Sequence, residues 1–174
     1  MVKIRTFVSF VIRREFNMKY LVEINNKTKE KISKRKVQAV FEETVVLALA
    51  ESFEGEKFEL SLALVSEQEI KTLNKEYRRK DTATDVLSFA EYEGEQALLL
   101  ENLKTQGNET FLGELIICPA YVKKNAAEDG ETFEFAMTYI ISHGILHLLG
   151  FSHGKKMFAL QRTVASELVS AEKI

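Results

Sequence analysis

The sequence is poor in the residues that staple, interrupt or label a chain. Its 174 residues include one cysteine, one proline, no tryptophan and three histidines. The single Cys118 excludes an internal disulfide framework and fits a reducing compartment. No apolar run approaches the ~18 residues that span a bilayer, so a cytoplasmic protein with no membrane partner is expected. Phe7–Ile12 is apolar but is followed by Arg13 and Arg14. It falls short of the ~7–15 apolar residues of a secretory core, and a small-residue cleavage site is missing. Neither charge dominates: 24 Lys+Arg stand against 26 Asp+Glu, a net −2. That balance argues against a strongly basic nucleic-acid binder. It is uneven along the chain, because residues 1–40 carry eleven Lys+Arg and only three Glu. A basic end of this kind is either a solvated helix face or a contact for a polyanion.

Hydrophobic residues make up 45% of the chain and charged residues 29%. Those are ordinary values for a globular domain, and the length fits one domain. Residues 1–17 read as an N-terminal extension, and 18–174 as the folded domain. Tyr20–Ile24 alternates as a strand. Ser33 to about Phe53 has helical spacing, with Ser33 as N-cap and Glu54–Gly55 as its stop. Phe58, Leu60, Leu62 and Leu64 alternate as a second strand. Ser66 and Glu69 form a capping box for a helix whose stripe is Ile70, Leu73 and Tyr77. Asp85–Ala90 and Phe111–Ile117 read as strands, separated by a long connection, Glu91–Thr110. Pro119 suits the first position of a helix over Ala120–Asp129. Thr132–Leu149 is the most apolar helix, with Gly150 as its stop, and Lys155–Ala171 is amphipathic. The order β-α-β-α-β-β-α-α-α predicts a single α+β domain with a small mixed β-sheet packed with helices.

All three histidines fall within eleven residues, His143-Gly-Ile-Leu-His147-Leu-Leu-Gly150-Phe-Ser-His153. His143 and His147 are four apart on a predicted helix and share a face. Gly150 can turn the chain so that His153 approaches the same point. Three converging imidazoles with a fourth position open have the form of a zincin-like site on a central helix. A closed structural site would need a fourth ligand, and Cys118 is the only thiol. Imidazole also suits nickel, copper and iron, so zinc rests on availability and geometry. The frame matches the metzincin protease spacing, but the glutamate that serves those enzymes as general base is replaced by Gly144. A peptidase is therefore a minor alternative. A bound metal still lowers the pKa of water toward ~7, so hydrolysis does not require that glutamate.

A second segment, Tyr77-Arg78-Arg79-Lys80-Asp81 running to Thr84-Asp85-Val86-Leu87-Ser88-Phe89, places three cations at a helix end. They either complement the helix dipole or present an arginine to phosphate. This segment, Leu112-Gly113-Glu114-Leu115-Ile116-Ile117-Cys118 and the histidine frame together resemble the YbeY endoribonucleases of bacterial rRNA maturation. The resemblance covers about Met18 to Ala171. It implies a metal held by His143, His147 and His153, and metal-dependent cleavage of single-stranded RNA, with the family's functional arginine at Arg78. It also implies action on the 3′ end of small-subunit rRNA, ribosome quality control, and ribosomal or small-subunit assembly partners. The chain departs from the family pattern at Arg79, where glycine is usual, and at Ser152, where aspartate is usual. Gly154-Lys155-Lys156 replaces an acidic stretch after the third histidine.

The resulting expectation is one zinc-type ion per chain on the three histidines, with Arg78 neutralising charge on phosphate. Asp85 and Glu114 are the candidates for general base. A non-catalytic, metal-stabilised ribosome-assembly factor is the alternative from another class.

Overall fold

The computed structural model describes residues 18–49, 57–92 and 109–171. The expected N-terminal extension, the Glu54–Gly55 stop and most of the long connection before Thr110 lie outside these residues. Four strands and five helices follow in the predicted order. They are β1 (Lys19–Asn26), α1 (Lys34–Leu49), β2 (Lys57–Leu64), α2 (Glu67–Arg78), β3 (Val86–Ala90), β4 (Glu109–Ile117), α3 (Pro119–Asp129), α4 (Phe133–Leu148) and α5 (Lys155–Ala171).

The sheet has the order β1-β2-β4-β3. β1 and β2 pair in parallel, as do β2 and β4. β3 closes the edge antiparallel to β4, from Val86 opposite Ile117 to Ala90 opposite Gly113. The register of β2 on β4 shifts between Glu59 and Leu60, which bulges the sheet opposite Phe111–Gly113. Gly113 takes φ 133 there, and a Cβ on it would stand 2.2 Å from the Phe89 carbonyl oxygen. Only glycine fits that backbone approach.

The two faces of the sheet carry different loads. Val22, Phe58, Leu60, Leu62, Leu115 and Ile117 point into the main core with Phe41 and Val45 of α1, Ile145 of α4 and Val164 of α5. A smaller cluster of Ala63, Val65, Ile70, Leu87 and Cys118 fills the other face beneath α2. Alternation along each strand produces this division. Thr44 of α1 donates to Ser142 of α4 at 3.0 Å, a buried polar tie next to His143.

Two local readings are corrected. Tyr77 is 60% exposed instead of closing the apolar stripe of α2. It meets Phe89 edge-on at 5.1 Å, because α2 lies over the short edge strand β3, where little sheet remains to cover the last turn. Ser66 does cap α2, accepting from the Glu69 amide at 3.2 Å. The Glu69 carboxylate, however, accepts from Lys27 at 2.7 Å, so the capping box is only half made. Within the basic end, Lys27 pairs with Glu69 and Lys36 with Glu134, and both lysines stay exposed.

Candidate metal centre

α4 begins at Thr132, whose hydroxyl accepts from the Phe135 amide at 3.1 Å. Its apolar side, including Met137, Ile141, Ile145 and Leu148, is buried in the main core. His143 and His147 stand at the margin of that side, both half-buried. The helix ends in a Schellman turn: the Gly150 amide donates to His147 O and the Phe151 amide to Leu146 O, each at 2.9 Å. Gly150 has φ 84, the left-handed conformation that such a turn demands. The turn returns His153 to the face of the first two histidines.

The three Nε2 atoms lie 3.1 Å (His143–His147), 3.0 Å (His147–His153) and 3.4 Å (His143–His153) apart. The other ring nitrogens define the tautomers. His147 Nδ1 lies 2.9 Å from the Phe151 carbonyl oxygen, which can only accept. The proton is therefore on Nδ1, and Nε2 carries a lone pair. His143 Nδ1 lies 2.9 Å from Oε1 of Gln161, with the same consequence. Lone pairs converging at this distance repel unless a cation sits among them. A tetrahedral ion with bonds of ~2.05 Å to nitrogen needs ~3.3 Å between its ligands, close to the spacing found. The donor set thus fits a metal ion, and the three histidines form a group able to hold one.

No thiol or carboxylate among the described residues joins that group. Cys118 is wholly buried in the smaller core at the start of α3, and burial pushes its thiol pKa up. The closed four-ligand site does not form on it. Burial also holds His143 and His147 below the ordinary 6.5, reinforced at His147 by repulsion from the other two imidazoles.

Two of the remaining candidates act on the histidines through their charge. The charge of Arg78, the last residue of α2, disfavours protonation of both His143 and His147. That of Asp85 favours protonation of His143. Asp85 Oδ1 accepts from the Val86 amide at 2.8 Å and from Thr84 Oγ1 at 3.0 Å. Asp85 also lines a cavity of about 320 Å³ with Tyr139, Ile140 and Arg162, one helical turn before His143. Glu114 is not brought to the site. Its neighbour Leu115 packs on Gly144 of α4, so alternation along β4 turns Glu114 to the opposite face of the sheet.

Two polar residues escaped the sequence reading. Asn74 is buried in α2, and its Nδ2 donates to Thr82 O at 2.8 Å, tying the Arg78–Asp85 segment to the helix. Gln161 is fully buried on α5 between Met157 and Val164. Its Nε2 is buried without a partner, an arrangement that costs about 1–3 kcal/mol. A lone glutamine at a core position of an apolar stripe was the available signal. Its partner, eighteen residues away, was not visible.

Comparison with known proteins agrees with this geometry. The family described as Endoribonuclease YbeY matches residues 23–169. Endoribonuclease YbeY of Neisseria meningitidis serogroup C is 45% identical over 100 residues, covering 58% of this chain and 55% of that protein. The chain thus spans about half the length of the Neisseria relatives it matches. Endoribonuclease YbeY of Caldicellulosiruptor bescii is 36% identical over 117 residues, covering 67% of this chain and 74% of the relative. A solution structure from Thermotoga maritima shares the fold with a TM-score of 0.52 and 28% identity, over 90% of this chain and 91% of that one. With its three-histidine centre on the same α+β scaffold, the chain belongs to the YbeY endoribonuclease family.

Proposed function

We propose that residues 18–174 form a single-domain, zinc-dependent endoribonuclease that cuts single-stranded RNA during rRNA processing. The observation that carries this reading is the convergence of three Nε2 atoms within 3.4 Å of one another, where the charges of Arg78 and Asp85 bias the protonation of His143. A cation on His143, His147 and His153 supplies a Lewis acid for a phosphodiester and lowers the pKa of water toward ~7. The imidazoles hold it, and their Nδ1–H bonds to Gln161 and Phe151 orient the rings.

Arg78 is exposed at the end of α2, where its planar guanidinium can pair two phosphate oxygens and offset charge that develops during cleavage. Asp85 takes the proton from the attacking group. Lys155 and Lys156, exposed on the first turn of α5 after His153, offer charge to the strand on either side of the cut. RNA contact is thus local, which suits a chain with a net charge of −2. Such an enzyme works in the cytoplasm on small-subunit rRNA 3′ ends and in ribosome quality control, with ribosomal or assembly-factor partners.

Cleavage of a single-stranded RNA by the pure protein, before and after chelation, tests the reading. Activity should vanish with the metal, return with Zn²⁺, and fall at least a hundredfold in Arg78→Ala, on the order expected for one lost charge-stabilising donor. Full cleavage by metal-free protein would sink the metal reading. RNA binding without turnover, together with a large loss of thermal stability on metal removal, would instead identify an assembly factor.

A further inference from the structure

Gln161 is 0% exposed on α5, and its one described hydrogen bond is to His143. The neighbouring stripe positions are Met157 and Val164, so packing alone asks for an aliphatic side chain there. The amide is also an awkward occupant, because its NH₂ is buried and unpartnered. A primary amide can face an imidazole nitrogen in two ways. With oxygen inward, at the observed 2.9 Å, it accepts from Nδ1–H and leaves the His143 Nε2 lone pair aimed at His147 and His153. With nitrogen inward it would donate to Nδ1 and drive the ring proton to Nε2, removing one of three ligand atoms.

We propose that Gln161 is a positioning residue for the metal centre: its carbonyl oxygen selects the Nδ1–H tautomer of His143 and so makes that imidazole a competent ligand. The role rests on the three histidines being a metal site. It goes beyond the ligand set by assigning a function to a buried residue on a different helix. His147 needs no such device, because the Phe151 backbone carbonyl has no second orientation. The tautomer of His143 alone depends on a side chain that can turn over.

The test uses the full chain, with Zn²⁺ as the probe in competition with a chromophoric chelator. Gln161→Met keeps length and apolar volume but removes the acceptor. Gln161→Glu keeps the length and offers only oxygens. Zn²⁺ affinity should fall about 10–100-fold in Gln161→Met and stay within about threefold of wild type, or rise, in Gln161→Glu. Long-range ¹H–¹⁵N spectra of the imidazoles in metal-free protein supply a readout that simple core filling would not move. His143 should be the Nδ1–H tautomer in wild type and Gln161→Glu, and a mixture or the Nε2–H tautomer in Gln161→Met. Should Gln161→Met fail to fold, Gln161→Asn withdraws the acceptor by one methylene and should show the same loss of affinity and tautomer.

Wild-type affinity with an unchanged tautomer in the acceptor-less variant would overturn the proposal while leaving the metal centre intact. Failure of the wild-type chain to bind Zn²⁺ at all would overturn both.

Discussion

Leu115 Cδ2 lies 2.6 Å from the point that a Cβ on Gly144 would occupy. The residue after the first histidine therefore faces β4 and not the metal centre. A metzincin-type base therefore has no room at this position. A glutamate at 144 would run into a fully buried leucine instead of reaching a metal. Gly144→Ala gains ~1 kcal/mol of helix propensity but overpacks the core, at a cost of about 1–3 kcal/mol. A net loss of stability is expected in urea unfolding. In a Leu115→Ala background the clash disappears, and the same substitution should become neutral or stabilising. Additivity between the two changes would contradict the contact.

Arg79 is the only non-glycine residue with positive φ among the described residues, at φ 58. Its amide closes α2 onto Lys75 O at 3.1 Å, and the next amide reaches Asn74 O. That left-handed cap explains why glycine suits the position after the arginine. Arg79→Gly should raise unfolding stability by about 0.5–1 kcal/mol through relief of strain. Arg79→Ala removes the same charge but keeps the strain, so it should leave stability near wild type. Equal gains in both variants would point to charge and not to backbone.

The contrast between these two positions shows what could be read from the sequence. Element order, the cap at Ser66 and the turn at Gly150 were legible because they depend on local periodicity and single-residue conformational rules. So was the metal face, because helical spacing alone brings His143 and His147 together. The strand order β1-β2-β4-β3 was not legible, since nothing local decides which strand joins which edge. What separates Asp85 from Glu114, two acids with equal claims in the sequence, is the packing of Leu115 on Gly144, which fixes the face of β4 that Glu114 takes. Tyr77 and Gln161 were misread or missed for one reason. A helical stripe tells which residues share a face but not how far the partner surface extends.

Burial and mutual repulsion hold the folded pKa values of His143 and His147 below 6.5, while the unfolded imidazoles titrate near that value. Below 6.5 the unfolded chain therefore binds more protons than the folded one. Stability of the metal-free protein should be level above that pH and decline as pH falls through 6.5 toward the lowered folded values. Thermal melting from pH 7.5 to 5 checks this, as round conditions about the ordinary histidine pKa. The decline should shrink in His143→Gln/His147→Gln protein. Saturating Zn²⁺ should move its onset to lower pH, because protons and metal compete for the same nitrogens. An identical acid profile in the double variant would exclude these histidines as its source.

Asp85 and Glu114 supply the sharpest test of the catalytic assignment. Asp85→Asn keeps an oxygen for the Val86 amide and Thr84 hydroxyl, so the loop that leads into β3 should hold its shape. It removes the basic carboxylate on the histidine side. RNA cleavage should fall about 10²–10⁴-fold, the range for loss of a general base, with thermal stability little changed. Glu114→Gln alters an acid on the far face of the sheet and should leave cleavage within about threefold, since no proton-transfer role is removed. The comparison must be made on Zn²⁺-saturated proteins, so that any change in metal affinity is separated from a change in turnover. Unchanged cleavage in Asp85→Asn, or an equal loss in Glu114→Gln, would take the proton-transfer role away from Asp85.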